Sequence, residues 1–92
     1  MNIKWSPDTN SIKSQFVRIP IYMGISDDFT AYIAVDFNNE DGCITCDFPN
    51  YMIFIPFKFT QIPGEQNDSD LLVLAHQLIE KEIQTLKDNG RY

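Results

Sequence analysis

The sequence predicts an α+β domain in which an antiparallel sheet of three or four strands is followed by one C-terminal helix packed on one sheet face. Three observations carry this. Apolar residues alternate with polar ones through the first two thirds of the chain, which is the period of a half-buried strand. Turn chemistry interrupts that alternation at strand-length intervals, at NNEDG (38–42) and at Pro49-Asn50. A helical periodicity then fills the last third. With 92 residues, 43% hydrophobic and 13% aromatic, there is enough apolar material for one core, so a single domain over 1–92 is expected. It divides into an N-terminal arm (1–12), a sheet (13–60) and a helix (68–89).

The first strand is FVRIPIYM (16–23), which places Val17, Ile19, Ile21 and Met23 on one face and Arg18 and Tyr22 on the other. Pro20 cannot donate to a ladder and points to an edge strand. In DFTAYIAVDF (28–37), Phe29, Ala31, Ile33, Val35 and Phe37 share the buried side and Thr30, Tyr32, Ala34 and Asp36 the other. NNEDG follows as a turn, with Gly42 as the residue able to adopt positive φ. CITCDF resumes the extended pattern. YMIFIPFKFT (51–60) turns Tyr51, Ile53, Ile55, Phe57 and Phe59 inward, and Pro56 again marks an edge or a bulge.

QIPGEQNDSD ends the sheet, and Asp68 or Ser69 is placed to cap the helix that follows. Leu72, Ala75, Ile79, Ile83 and Leu86 form a stripe directed at the sheet. Lys87 and Gly90 suit the helix C-terminus. Leu71, Leu74 and Leu78 make a second strip, read either as packing against the segment around Trp5 or as a homodimer or partner contact.

Cys43 and Cys46 have CxxC spacing, which raises zinc and redox chemistry. In a strand, residues three apart point to opposite faces, so the two sulfurs cannot share a metal. A redox CxxC needs a helix N-terminus to lower its thiol pKa, and the β-branched Ile44 and Thr45 argue against one. Cys46, with Ile44 and Phe48, is assigned to the core and Cys43 to the open face or the turn. His76, near the helical stripe, reads as a partly buried structural histidine. The acids around the turn lack EF-hand spacing, and four scattered glycines make no phosphate loop. The chain is expected not to be an enzyme and to use no metal or cofactor.

Charge distribution is more informative. The net charge of -6 disfavours direct nucleic-acid binding, which needs clustered Lys and Arg. No run is apolar enough to span a bilayer, and the N-terminus lacks a secretory apolar block, so a cytoplasmic protein is expected. Between Arg18 and Lys58 there is no basic residue, while Asp27, Asp28, Asp36, Glu40, Asp41 and Asp47 all fall in that interval. These acids are either a solvated, solubilising face or a surface that meets a basic protein partner. The sheet face away from the helix would carry Tyr32 and Phe54 among them. Aromatic anchors with orienting acids are the composition of a binding patch, unless the N-terminal arm covers that face.

Two resemblances bear on this. Over residues 29–86, the order strand, NNEDG turn, strand ending in Phe48-Pro49-Asn50, strand, helix resembles the HicB antitoxin family, which implies neutralisation of a small toxin. In type, a small acidic chain without a catalytic signature is similar to phage-encoded anti-defence proteins, including anti-CRISPR proteins, which implies blocking of a nucleic-acid-handling complex. The expected function is therefore inhibitory binding through Asp27, Asp28, Tyr32, Asp36, Glu40, Asp41, Asp47 and Phe54. The partner is a protein complex with a basic, nucleic-acid-binding surface, and the alternative is a HicB-like antitoxin or immunity protein.

Overall fold

The computed structural model describes residues 2–8 and 19–91; the expected strand residues 16–18, including Arg18, and the arm residues 9–12 lie outside the described set. The chain divides into two compact units, Met1–Phe59 and Thr60–Tyr92.

Among the described residues, the first unit is an antiparallel meander of five strands rather than three or four. They are β1 (Lys4–Pro7), β2 (Ile19–Ile25), β3 (Thr30–Asp36), β4 (Asp41–Asp47) and β5 (Met52–Lys58), hydrogen-bonded in chain order. The additional strand comes from the expected arm: residues 4–7 extend the sheet edge instead of crossing a face. Trp5 stands opposite Gly24 on β2, and its ring occupies the space a side chain there would fill. A Cβ on Gly24 would lie 2.7 Å from Trp5 Cε3 and 2.6 Å from Ile3 Cγ2. Trp5 is thus held against β2. The same arrangement recurs at the other end of the sheet, where Phe57 on β5 covers Gly42 on β4.

β2 departs from simple alternation. Pro20 pairs with Ala34 and Tyr22 with Ile33, leaving Ile21 as the extra residue of a β-bulge. Proline lacks the ladder donor, and a bulge is one of the few places inside a sheet that tolerates it. Beyond the bulge every side chain changes face. Tyr22 therefore lies beside Ile33 on the buried side, and Met23 lies beside Tyr32 on the open side, the reverse of the alternation read from the sequence. β2 lies between β1 and β3, but its pairs with β1 run only from Tyr22 to Ile25, so Pro20 lies beyond the described part of β1.

β3 and β4 are the most regular elements. Ala31, Ile33 and Val35 alternate with Thr30, Tyr32 and Ala34, and the first three are 0–2% exposed. On β4, Ile44 and Cys46 are buried while Cys43 and Thr45 are half-buried on the opposite face. The two cysteines thus point to opposite sides, as the alternation requires. At one end of the buried face, Phe29 packs on Phe48 (centroids 4.9 Å) and Phe48 stacks on Tyr51 (4.8 Å), tying the β2–β3 and β4–β5 turns together. Aromatic pairs of this kind add about 0.5–1.5 kcal/mol beyond area burial.

At the opposite end, the β3–β4 turn is organised by Asp36. Its Oδ1 accepts the backbone N–H groups of Asn38 (3.0 Å) and Asn39 (3.2 Å), and its Oδ2 accepts Asn39 Nδ2–H (2.8 Å). The left-handed position is Glu40, with φ 53°, not Gly42. Gly42 is instead an interior strand residue that must be small because Phe57 lies over it. Phe37 is the first residue of this turn and is 63% exposed, so it leaves the buried row and meets the Phe59 ring edge-on at 6.0 Å.

The second unit contains α1 (Asp68–Asp88), reached through a 3₁₀ turn at Phe59–Gln61. Asn67, rather than Asp68 or Ser69, caps it: its side chain accepts the N–H of Asp70 at 2.9 Å. Gly90 (φ +70°) closes the C-terminus in a Schellman arrangement, with Arg91 N–H donating to Leu86 O and Gly90 N–H to Lys87 O. The buried helix residues are Leu71, Leu74, Ala75 and Ile79. They straddle the two apolar strips expected from the sequence, which therefore form one broad arc centred between them. His76 is partly exposed, with Nδ1 3.2 Å from Glu80 Oε1 one turn on. Among the described residues no helix is long and apolar enough to cross a membrane.

Two glycine exchanges with opposite signs test the β3–β4 hairpin. Gly42→Ala places a Cβ against the Phe57 ring and 2.8 Å from the backbone oxygen of Ala34. Overpacking of this kind costs about 1–3 kcal/mol, and each kcal/mol lowers Tm by about 4–8 °C in a domain of this size. Glu40→Gly relieves a left-handed non-glycine residue and is expected to raise stability by up to about 1 kcal/mol, after the added unfolded-state entropy is deducted. Thermal unfolding of both variants is the measurement. An unchanged Tm for Gly42→Ala, or a lowered one for Glu40→Gly, would contradict these assignments.

Candidate functional site

Strand alternation and register build the open face as three rows across the sheet. The central row runs Met23, Tyr32, Thr45, Phe54 from β2 to β5. Towards one end lies the row Ile25, Thr30, Asp47, Met52, and towards the other Pro20, Ala34, Cys43, Pro56. Apart from Tyr32, the two central strands contribute small or short side chains. The two flanking strands contribute large apolar ones, and Ile25 (56%), Met52 (52%) and Phe54 (64%) are all well exposed. The face is therefore a shallow trough. Its walls stand three strand spacings apart, about 14 Å, and its length along the strands is about 20 Å. Tyr32 rises from the middle of its floor.

The acids expected to act together occupy the two ends of this trough. Asp47 lies on the open face of β4, and Asp27 and Asp28 sit in the β2–β3 turn at the same end. Glu40 and Asp41 lie at the opposite end, in or beside the β3–β4 turn. Asp36 belongs to that end too, but it is only 6% exposed and its carboxylate holds the turn. It shapes the end of the site rather than presenting charge to it.

Folding also brings bases to both ends that the base-free interval does not contain. Lys58 Nζ lies 4.0 Å from Asp41 Oδ2. Lys4 and Asp27 line the same hollow of about 360 Å³, with Asn2, Ile3, Ile25 and Ser26. The negative surface is thus two acidic clusters, each with a neighbouring lysine, and not one continuous sheet of charge.

Of the site residues read from the sequence, Tyr32 and Phe54 share the central row and Asp47 shares their face. The sequence reading misses Ile25, because its first strand stops at Met23, and it assigns Met23 to the wrong side because Pro20, the one residue that signals the bulge, reads equally as an edge residue.

The sheet edges are chemically distinct from its face. In β4–β5, Phe48 N–H bonds Tyr51 O and Phe59 N–H bonds Glu40 O, which fixes the alternation of hydrogen-bonded and non-hydrogen-bonded pairs between them. By that parity, Cys43 and Pro56 are a non-hydrogen-bonded pair, and the Pro56 nitrogen faces the free edge. On β1, Asp8 N–H bonds Ile21 O, so Pro7, one residue earlier, likewise turns its nitrogen outward. Each edge strand therefore carries a proline where an incoming strand would seek a donor, a known protection against strand addition. Pro56→Val restores that donor. It is expected to increase concentration-dependent self-association over the parent chain in sedimentation velocity, and identical sedimentation of both proteins would show the edge is closed by other means.

No protein-family model matches the chain, and no curated protein or solved structure matches it significantly.

Proposed function

We propose that this chain is a non-enzymatic inhibitory binding protein of the phage anti-defence type, similar in action to anti-CRISPR proteins, working in the cytoplasm of a host cell. It covers a basic, nucleic-acid-binding surface of a protein complex and so keeps nucleic acid out. The observation that supports this reading best is the open sheet face, an exposed apolar centre around Tyr32 and Phe54 with acids at both ends. Buried aromatics supply most of the affinity at such interfaces, whereas flanking charges set orientation and association rate. Local blocking fits the charge better than imitation of a duplex, because DNA carries a charge every ~1.7 Å of axis and the acids here are gathered at two ends.

The test begins with capture of partners by the tagged chain from bacterial lysate at low and high salt, followed by nucleic-acid binding assays on the captured complex. The expected result is a stoichiometric nucleic-acid-binding complex that loses its nucleic acid when this protein is bound. Phe54→Arg should abolish capture, and the double reversal Asp27→Lys with Asp28→Lys should weaken it about tenfold, or about 1.4 kcal/mol, mainly through slower association. A single small toxin retained through high salt would place the chain with HicB-like antitoxins instead. Undiminished nucleic-acid binding by the captured complex would refute the blocking action.

A further inference from the structure

Resting on that reading, we infer that the trough seats one α-helix of the partner, lying along β3 and β4, with an apolar middle and Lys or Arg in both of its terminal turns. Four features of the face select this occupant. An extended segment would add at a sheet edge, but Pro7 and Pro56 each remove an outward donor there. A helix needs no donors from the sheet, because its backbone bonds are internal. Its width, about 10–12 Å with side chains, lets it lie over the two floor strands, between flanking strands whose axes stand about 14 Å apart. The walls, Met23 and Ile25 on one side and Met52 and Phe54 on the other, are flexible or aromatic side chains suited to packing on a ridged helical surface.

The ends specify the charges. Asp27 and Asp47 stand at one end and Glu40 at the other, separated by the length of the strands, about 20 Å. A helix spans that distance in about 13 residues, so its basic residues fall in its first and last turns. A basic residue at the helix N-terminus opposes the macrodipole in isolation. Such a helix is therefore stabilised by the acids of the trough, and its charges are better matched bound than free. Tyr32, rising from the floor at mid-length, meets the apolar face of the helix at its centre.

Two synthetic 16-residue peptides test this against the full chain. Both carry the same leucine-rich helical face, one with Lys and Arg in its terminal turns and the other with Glu at those positions. In two-dimensional amide NMR, the basic-ended peptide should shift Tyr32, Thr45 and Phe54 saturably, and the acidic-ended peptide should not. Phe54→Ala and Tyr32→Ala should each weaken binding at least fivefold while leaving the circular dichroism spectrum of the chain unchanged. Equal effects of the two peptides, shifts confined to the β1 or β5 edge or to α1, or no shift at millimolar peptide would overturn the inference. Shifts of the same residues on raising protein concentration alone would also overturn it, by naming a second copy as the occupant. A captured complex whose cross-links avoid the trough would refute the helix seat while sparing the blocking function, whereas a seated peptide with no nucleic-acid-binding partner captured would do the reverse.

Discussion

Hydrogen-bond parity in the meander decides most of what this molecule presents to its surroundings. In an antiparallel pair, shifting the register by one residue moves every side chain to the opposite face and every nitrogen to the opposite edge. The β4–β5 hairpin is held at both ends in the same parity, by Phe48 N–H to Tyr51 O and by Phe59 N–H to Glu40 O. Gly42 beneath Phe57 adds a steric lock, because no other residue on β4 offers that ring the same gap. From this one register follow the burial of Cys46, the open position of Cys43, the exposure of Phe54 and the outward nitrogen of Pro56. The bulge at Ile21 does the same for β2, and it delivers Met23 to the open face.

Electrostatics then acts on the geometry that parity provides. The two acidic ends are about 20 Å apart along the strands, more than twice the screening length of about 8 Å at physiological ionic strength. Each end therefore acts on a cation almost independently of the other, and between them lies a surface with little charge of its own. Lys58 beside Asp41 and Lys4 beside Asp27 temper each cluster locally. With Lys58 71% exposed, its pair with Asp41 contributes little to stability, so the effect of these lysines is on the field. They favour cations that arrive at two defined places over cations spread across the whole face.

Much of this was legible in the sequence, and the failures have physical causes. β3, β4, the position of the turn and the opposite orientation of Cys43 and Cys46 follow from period-two alternation, which is strong there and uninterrupted. β1 was not legible. Its four residues, KWSP, have too little pattern to declare a strand, and what fixes them is a long-range contact between Trp5 and a glycine near the end of β2. The bulge was signalled only by Pro20, and proline reads equally as an edge residue. Asn67 took the cap because its side chain reaches Asp70 N–H, although Asp68 and Ser69 are equally good caps by residue type. The acids stand as one set in the sequence, but the meander sorts them by turn. Asp27 and Asp28 go to one end and Glu40 and Asp41 to the other, and Asp36 is withdrawn into the turn it builds.

Proline-bearing edge strands and exposed apolar residues on one face resolve a conflict inherent in a small sheet. Exposed strand edges invite association with any extended chain, because backbone donors and acceptors are the same in every protein. Apolar area on a face is more selective, since it rewards only a surface of matching shape, and acids at its ends penalise acidic partners. Pro7 and Pro56 each remove one outward donor from an edge strand, which weakens the promiscuous route relative to the selective one. The net charge of -6 opposes the self-association that Ile25, Met52 and Phe54 would otherwise favour, because two copies meeting face to face would bring acids together. A basic partner relieves that repulsion. On the proposed reading, the same acids that oppose a second copy on this face favour a cationic partner there.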